Sequence, residues 1–295
     1  MARGSEIVSI SQAIDSCIAP AVEENIIPGA VAAVINRNGL VSLRCHGVRS
    51  ETTQSPMTND TVFQIASMTK PIAGAACMQA VERGLLKLDQ PASEIIPWLG
   101  ELRVLDGFNE SGPILRAPNQ PVTLRNLLTH TSGFTYEVWN SDMAAWKEHT
   151  GNPVTGSGKL ASLRQPLSFD PGTRWEYGIG IDWAGQLLEA ATGMSLAEWM
   201  RKEIFDPLGL VDTGYTCRPD MQDRQAAIHV LREDSWAALE SNKQKRPTEF
   251  DSGGGGLFST ATDYAKFVQK YLKSDSKIIE IGSNDGTFLQ NLIKD

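Results

Sequence analysis

Two apolar runs in GAVAAVINRNGLVSLRCHG flank Asn38-Gly39, and this feature constrains the chain most tightly. Asn and Gly tolerate the positive φ that a tight hairpin turn needs, so residues 29–47 read as two antiparallel strands. Before them, Ile10, Ile14, Ile18 and Val22 repeat on one face of a helix. After them, the short apolar run Val62–Ala66 leads into Ser67. From Ser67 to Arg83 the pattern is helical, with Ala75, Met78 and Val81 on one side and Gly84 as its stop. Pro71 fits near a helix start, where its missing N–H would have had no intrahelical partner. Thr123 starts a helix (TLRNLLTH) that ends near Gly133, and another runs from Asp182 to Thr192, stopped by Gly193. Ser195 and Glu198 form a capping box for a further helix, ending before Pro207 and Gly209. Thr260 with Asp263 caps the last one, through about Leu272. The strands thus lie near the N-terminus and the middle of the chain is mostly helical. There is no repeat and no long linker, and the charged stretch Lys270–Lys277 is the candidate boundary.

A chain of 295 residues can form one large domain or two interlocked ones around a substantial core. A net charge of −8 argues against nucleic acid as a partner, because phosphate binding needs a basic surface. Cys17, Cys45, Cys77 and Cys217 are scattered, with neither a disulfide framework nor zinc-site spacing. None of the four histidines stands four residues from another, so no metal centre is expected. The N-terminal segment lacks the apolar core of a signal peptide, and no stretch approaches transmembrane length; the expectation is a cytoplasmic protein that does not engage a membrane.

Ser67-Met68-Thr69-Lys70 is the central chemical feature. On the first turn of a helix, residues three apart share a face, so the lysine amine can reach the serine hydroxyl. The N–H groups and partial positive charge of a helix N-terminus stabilise an oxyanion. A lysine held in a cleft there gives up its proton more easily and helps activate the serine. The spacing alone is weak, because Ser274-Asp275-Ser276-Lys277 matches it too. Only Ser67 stands at a junction from apolar strand to helix. A Ser-His-Asp hydrolase would show GxSxG, which is absent. His130 in LLTHTSG reads as a polar side chain satisfying backbone groups at a helix end, and His46, His149 and His229 have no motif around them. Tyr177, in a turn before a helix, has two readings. A tyrosine beside an ammonium can serve as a general base, and a tyrosine between Trp175 and Trp183 can simply pack in a core. Gly253–Gly256 reads as a flexible turn, since no P-loop lysine follows.

FQIASMTK, VERGLLKLD, PVTLRNLLTHTSGF, FDPGTRWEYG, IFDPLGL and GGGGLFSTATDYAKF, in this order, resemble the class C β-lactamase-like serine hydrolases. That family takes in family VIII carboxylesterases, penicillin-binding DD-peptidases and the acyltransferase of lovastatin biosynthesis. The likeness spans about residues 8–273. It implies an α+β fold, an antiparallel sheet flanked by helices with a mostly helical inserted domain. It also implies Ser67 as nucleophile, Lys70 as its partner and Tyr177 as the tyrosine of the second motif. The implied reaction is hydrolysis of small esters, amides or lactams through an acyl-serine, without cofactor or metal. The Ser-Asp-Asn and Lys-Thr-Gly motifs of the class A enzymes are absent, which points to the same tyrosine branch.

Two departures shape the expectations. Tyr177-Gly178-Ile179 stands where true β-lactamases have Tyr-x-Asn, so ester cleavage gains weight over lactam hydrolysis. Family members also continue about a hundred residues past the GGGGLFST region, with a third motif and the strand that supplies the second oxyanion-hole N–H. Here IIEIGSNDGTFLQNLIKD follows instead, resembling the first motif of an S-adenosylmethionine-dependent methyltransferase at Glu280, Gly282 and Gly286. The expected division is a β-lactamase-related domain over 1–273, incomplete at its C-terminal end, and a foreign-looking tail over 274–295 that is too short to hold that cofactor. The alternative to a working hydrolase is an impaired or inert truncated hybrid that keeps the family scaffold.

Overall fold

The computed structural model describes residues 2–233, 235–239 and 248–271. The methyltransferase-like tail, the second SxxK match and the 273/274 boundary lie outside these residues. In chain order the first half runs α1 (Ala2–Glu23), β1 (Gly29–Asn36), β2 (Gly39–Ser50), β3 (Ser55–Pro56), β4 (Val62–Gln64), α2 (Thr69–Glu82), β5 (Val104–Asn109) and β6 (Gly112–Arg116). There follow α3 (Leu124–Leu128), α4 (Ser141–Thr150), α5 (Gly180–Thr192), α6 (Leu196–Met200), α7 (Asp206–Leu208), α8 (Pro219–Gln222), β7 (His229–Arg232), β8 (Ser235–Ala238), β9 (Phe258–Thr260) and α9 (Ala261–Tyr271). All strand ladders among the described residues are antiparallel, so the α+β expectation holds. Two compact units share the chain. Among the described residues, one comprises 2–68, 204–233, 235–239 and 257–271, the other 69–203 and 248–256. The first crossover falls between Met68 and Thr69, so Ser67 belongs to one unit and Lys70 to the other.

In the first unit, β1, β2 and β3 form one sheet. The helix α1 packs on β2 and buries Ile14 and Ile18, two of the residues whose spacing predicts it. Asp15 on its polar side accepts from the Arg44 guanidinium at 2.8 and 2.5 Å and pairs with His46 at 2.8 Å. The hairpin turn sits one residue earlier than Asn38-Gly39 suggests. Asn36 pairs with Gly39, leaving Arg37-Asn38 as the turn. The reason is local: the Asn36 side chain accepts the Asn38 N–H at 2.8 Å, an Asx turn, and Gly39 takes the positive φ of +120°. A bulge between Val34 and Ile35 absorbs the offset. Strand β4 pairs with β9 across Val62–Thr260 and Gln64–Phe258, with Val62, Phe258 and Met221 in the core. The Thr260 hydroxyl accepts the Asp263 N–H at 3.1 Å and caps α9, as read.

In the second unit α2 packs on α5 and α6, and α3 on α5. The sequence reading of α2 needs correction. Its buried face is Ile72, Ala73, Ala76, Cys77 and Ala80, whereas Met78 is 40% exposed. Alanine lies on both sides of this helix, so its spacing does not choose a face. The stripe of small residues is the one that lets two helices approach closely. The helix from Thr123 is also shorter than read. A capping box of Thr123 with Asn126 starts it, and it ends at Leu128. The box of Ser195 with Glu198 is present, but helical structure continues through Pro207 to Leu208. A hairpin, β5–β6, lies in the middle of the chain, where the sequence reading expects mostly helix and places no strand. Ile72→Ala is expected to lower stability by about 2–5 kcal/mol and Met78→Ala by less than about 1 kcal/mol. Urea unfolding of both variants checks which face of α2 is buried.

Candidate active site

Ser67 lies in a 3-10 turn, Ala66–Met68, that enters α2, rather than on the α-helix itself. Strand pairing and two further hydrogen bonds hold this turn. The Ile65 N–H donates to the Leu257 carbonyl at 3.0 Å, and the Tyr264 hydroxyl donates to the Met68 carbonyl at 2.8 Å. Ala66, immediately before Ser67, takes φ +43°, a left-handed conformation that costs a β-carbon residue about 1 kcal/mol or more. Ser67 is exposed at the tip of this turn.

Lys70, in the first turn of α2, is only 7% exposed. Its ammonium donates to the Gly254 carbonyl at 2.7 Å and to the Tyr136 hydroxyl at 3.3 Å. It lies over the Tyr177 ring, 4.7 Å from the centroid. Tyr177 and Lys70, both singled out in the sequence, therefore come together. Tyr136, four residues after the end of LLTHTS, is a member that sequence reasoning missed. Burial pushes its phenol well above the ordinary tyrosine range, so it stays protonated and can accept from Lys70 while donating elsewhere.

The loop carrying Tyr177 is fixed at both ends. Asp170 accepts from Arg116 at 2.9 and 2.8 Å and from the Asn119 N–H at 2.8 Å. Near the tyrosine, the Glu176 N–H donates to the His130 carbonyl at 2.9 Å and the Gly178 N–H to His130 Nδ1 at 3.4 Å. The expected structural role of His130 holds, and what it braces is the backbone on either side of Tyr177. Their rings stand 4.8 Å apart. A β-carbon on Gly178 would fall 2.1 Å from the Phe134 carbonyl oxygen, so only glycine fits there. Tyr177 is half-buried among Tyr136, Trp139 and His130, while Trp175 is 65% exposed. The tyrosine is therefore not a core residue clamped between its two flanking tryptophans. Ile179 is fully buried as the residue before α5.

The glycine run is not a loose turn. The Gly254 N–H donates to Asp182 Oδ1 at 2.9 Å, the Gly255 N–H to Ser252 Oγ at 3.0 Å, and the Gly256 N–H to Thr69 Oγ1 at 3.2 Å. Lys70 and His130 also border a half-open cavity of about 500 Å3, walled by Pro71, Met78, Leu88, Leu128 and Ile181. Among the described residues no group of three or more His, Cys, Asp or Glu could hold a metal ion. No helix among them is long and apolar enough to cross a membrane.

A family model described as Beta-lactamase matches residues 14–287, and this chain belongs to that family. Its fold is that of the class C β-lactamase-like serine hydrolases and their penicillin-binding-protein relatives. The lovastatin esterase of Penicillium rubens is 34% identical over 293 residues, covering 95% of this chain and 73% of that protein. The monacolin J acid methylbutanoyltransferase of Aspergillus terreus is 33% identical over 288 residues, covering 93% and 70%. Unliganded simvastatin synthase (LovD) of Aspergillus terreus superposes with a TM-score of 0.78 at 32% identity, over 92% of this chain and 69% of that one. These relatives are an esterase and acyltransferases, and this chain spans about 70% of their length.

Burial, and after it the Lys70 charge, pushes the His130 imidazole down from 6.5 to about 4. The unfolded chain takes up this proton near 6.5 and the folded chain only near 4. The folded state therefore keeps its full stability above pH 6.5 and loses part of it as the pH falls from about 6.5 to about 4. His130→Asn, which tolerates the φ of +56° at this position, should lose less over that window. Unfolding free energies at several pH values test this, and equal losses in both proteins would contradict it.

Proposed function

We propose that this chain cleaves small esters through an acyl intermediate on Ser67, with Lys70 and Tyr177 handling the protons. The observation that carries this reading is the buried Lys70 ammonium lying against the Tyr177 ring, three residues along the chain from Ser67. With one proton of the Lys70–Tyr177 pair already released to solvent, Ser67 Oγ attacks the carbonyl carbon and its proton passes to the vacant position of that pair. Collapse of the tetrahedral intermediate breaks the bond to the alcohol, which leaves with that proton. Water then repeats the sequence and releases the acid. The backbone N–H of Ser67 supplies one half of the oxyanion hole.

Esters are favoured over lactams because Ile179, apolar and buried, stands where β-lactamases carry an asparagine. Trp139 and Trp175 are 69% and 65% exposed next to the Tyr136–Tyr177–His130 group, a surface that suits an apolar acyl or alcohol portion. The relatives' activities on lovastatin-type esters and methylbutanoyl transfer point the same way. In this reading residues 1–273 are the catalytic domain and residues 274–295 a tail that binds no cofactor, although the family match runs on to residue 287.

Steady-state hydrolysis of p-nitrophenyl butyrate tests the proposal. Ser67→Ala and Lys70→Met should each lower kcat by roughly 10³-fold or more. Unchanged turnover in Ser67→Ala would sink it, and a folded wild type without turnover would favour the inert-scaffold alternative.

A further inference from the structure

We infer that Asp182 is a positioning residue of the Lys70 site, holding the Gly254 peptide in place and setting the charge that Lys70 meets. The inference rests on the reaction proposed above. Asp182 lies in the first turn of α5 and is only 3% exposed. Its Oδ1 accepts from Ser252 Oγ at 2.6 Å and from the Gly254 N–H at 2.9 Å. The carbonyl of that same Gly254 accepts from the Lys70 ammonium at 2.7 Å. A carboxylate, one glycine residue and an ammonium are thus linked in series.

The glycines are shaped to this contact. A β-carbon on Gly254 would fall 2.5 Å from Asp182 Oδ2, and one on Gly253 would fall 2.5 Å from the Ile181 carbonyl oxygen. The backbone of the run therefore lies against Asp182 and its neighbour more closely than any other residue type allows. An acidic residue in the first turn of a helix commonly answers the helix dipole from the surface. That role needs neither burial nor a partner on a distant loop, and Asp182 has both. A carboxylate taken out of water loses hydration worth several kcal/mol unless it is paired. Here Ser252, the Gly254 N–H and the nearby Lys70 charge offset part of that loss, and burial still holds the carboxyl above its ordinary range. Burial pushes the Asp182 carboxyl up, and those three groups draw it down. Among the described residues, Asp182, His130, Tyr136 and Tyr177 are ionisable groups that interact with this ammonium. Only Asp182 among them ordinarily bears a negative charge at neutral pH.

Two variants separate position from charge. Asp182→Asn keeps an oxygen to accept the Gly254 N–H but removes the charge, whereas Asp182→Ala removes both. Removing an anion from beside an ammonium makes the ammonium release its proton more readily. The acidic limb of kcat/KM against pH for an aryl ester should therefore move about one pH unit lower in Asp182→Asn, with KM within about threefold of wild type. Asp182→Ala should lose about 100-fold in kcat at every pH, because the carbonyl that seats Lys70 is released. Wild type and Ser67→Ala are run beside them. Equal turnover in those two would remove the reaction itself and not this inference. Given Ser67-dependent turnover, an Asp182→Asn profile that superimposes on wild type overturns the inference, whatever Asp182→Ala does. A loss confined to KM or to the unfolding midpoint also overturns it. If Asp182→Ala does not fold, the Asp182→Asn profile decides alone.

Discussion

The hydrogen bond from the Lys70 ammonium to the Gly254 carbonyl is the contact on which the site depends. An amine 7% exposed must be paired, since a buried charge without partners costs several kcal/mol. The chain supplies the partners from three distant segments: the glycine run, Tyr136 from the loop after α3, and the face of Tyr177. Two of these are themselves braced, Gly254 by Asp182, and Tyr177 by His130 and the Arg116–Asp170 pair. The result is a preorganised polar pocket lined by aromatic rings, in which a proton can be held and passed with little rearrangement.

What could be read from the sequence was whatever is settled within a few residues. The helix start at Thr123, the capping box at Ser195, the Thr260 cap and the Gly193 stop all involve atoms at most four residues apart, and the structure has each of them. Ser67, Lys70 and Tyr177 are singled out by ordered motifs rather than by periodicity. What was missed depends on partners far along the chain. Asp182 looks like an ordinary acidic residue at a helix start until Gly254, 72 residues on, donates to it. The glycine run looks flexible for the same reason, since nothing local shows that side chains are excluded by Ile181 and Asp182. The face of α2 was misjudged because alanines lie on both sides, and only the packing against α5 chooses between them.

Family membership fixes the architecture but leaves the choice of substrate to a few side chains. Ile179 occupies a fully buried position, so the polar group that a lactam-cleaving relative would place in this motif is replaced by an apolar one that serves the core. Around Tyr177 the exposed rings of Trp139 and Trp175 widen the apolar surface. Both features bear on the preference for a bulkier apolar ester proposed above.

The central claim is that Ser67 is an activated nucleophile. Brief exposure of the intact protein to a fluorophosphonate, followed by whole-protein mass measurement and peptide mapping, tests it most directly. One adduct per chain, carried on Ser67, is the predicted result. A folded protein that takes up no adduct, or takes it up on another residue, would contradict the account.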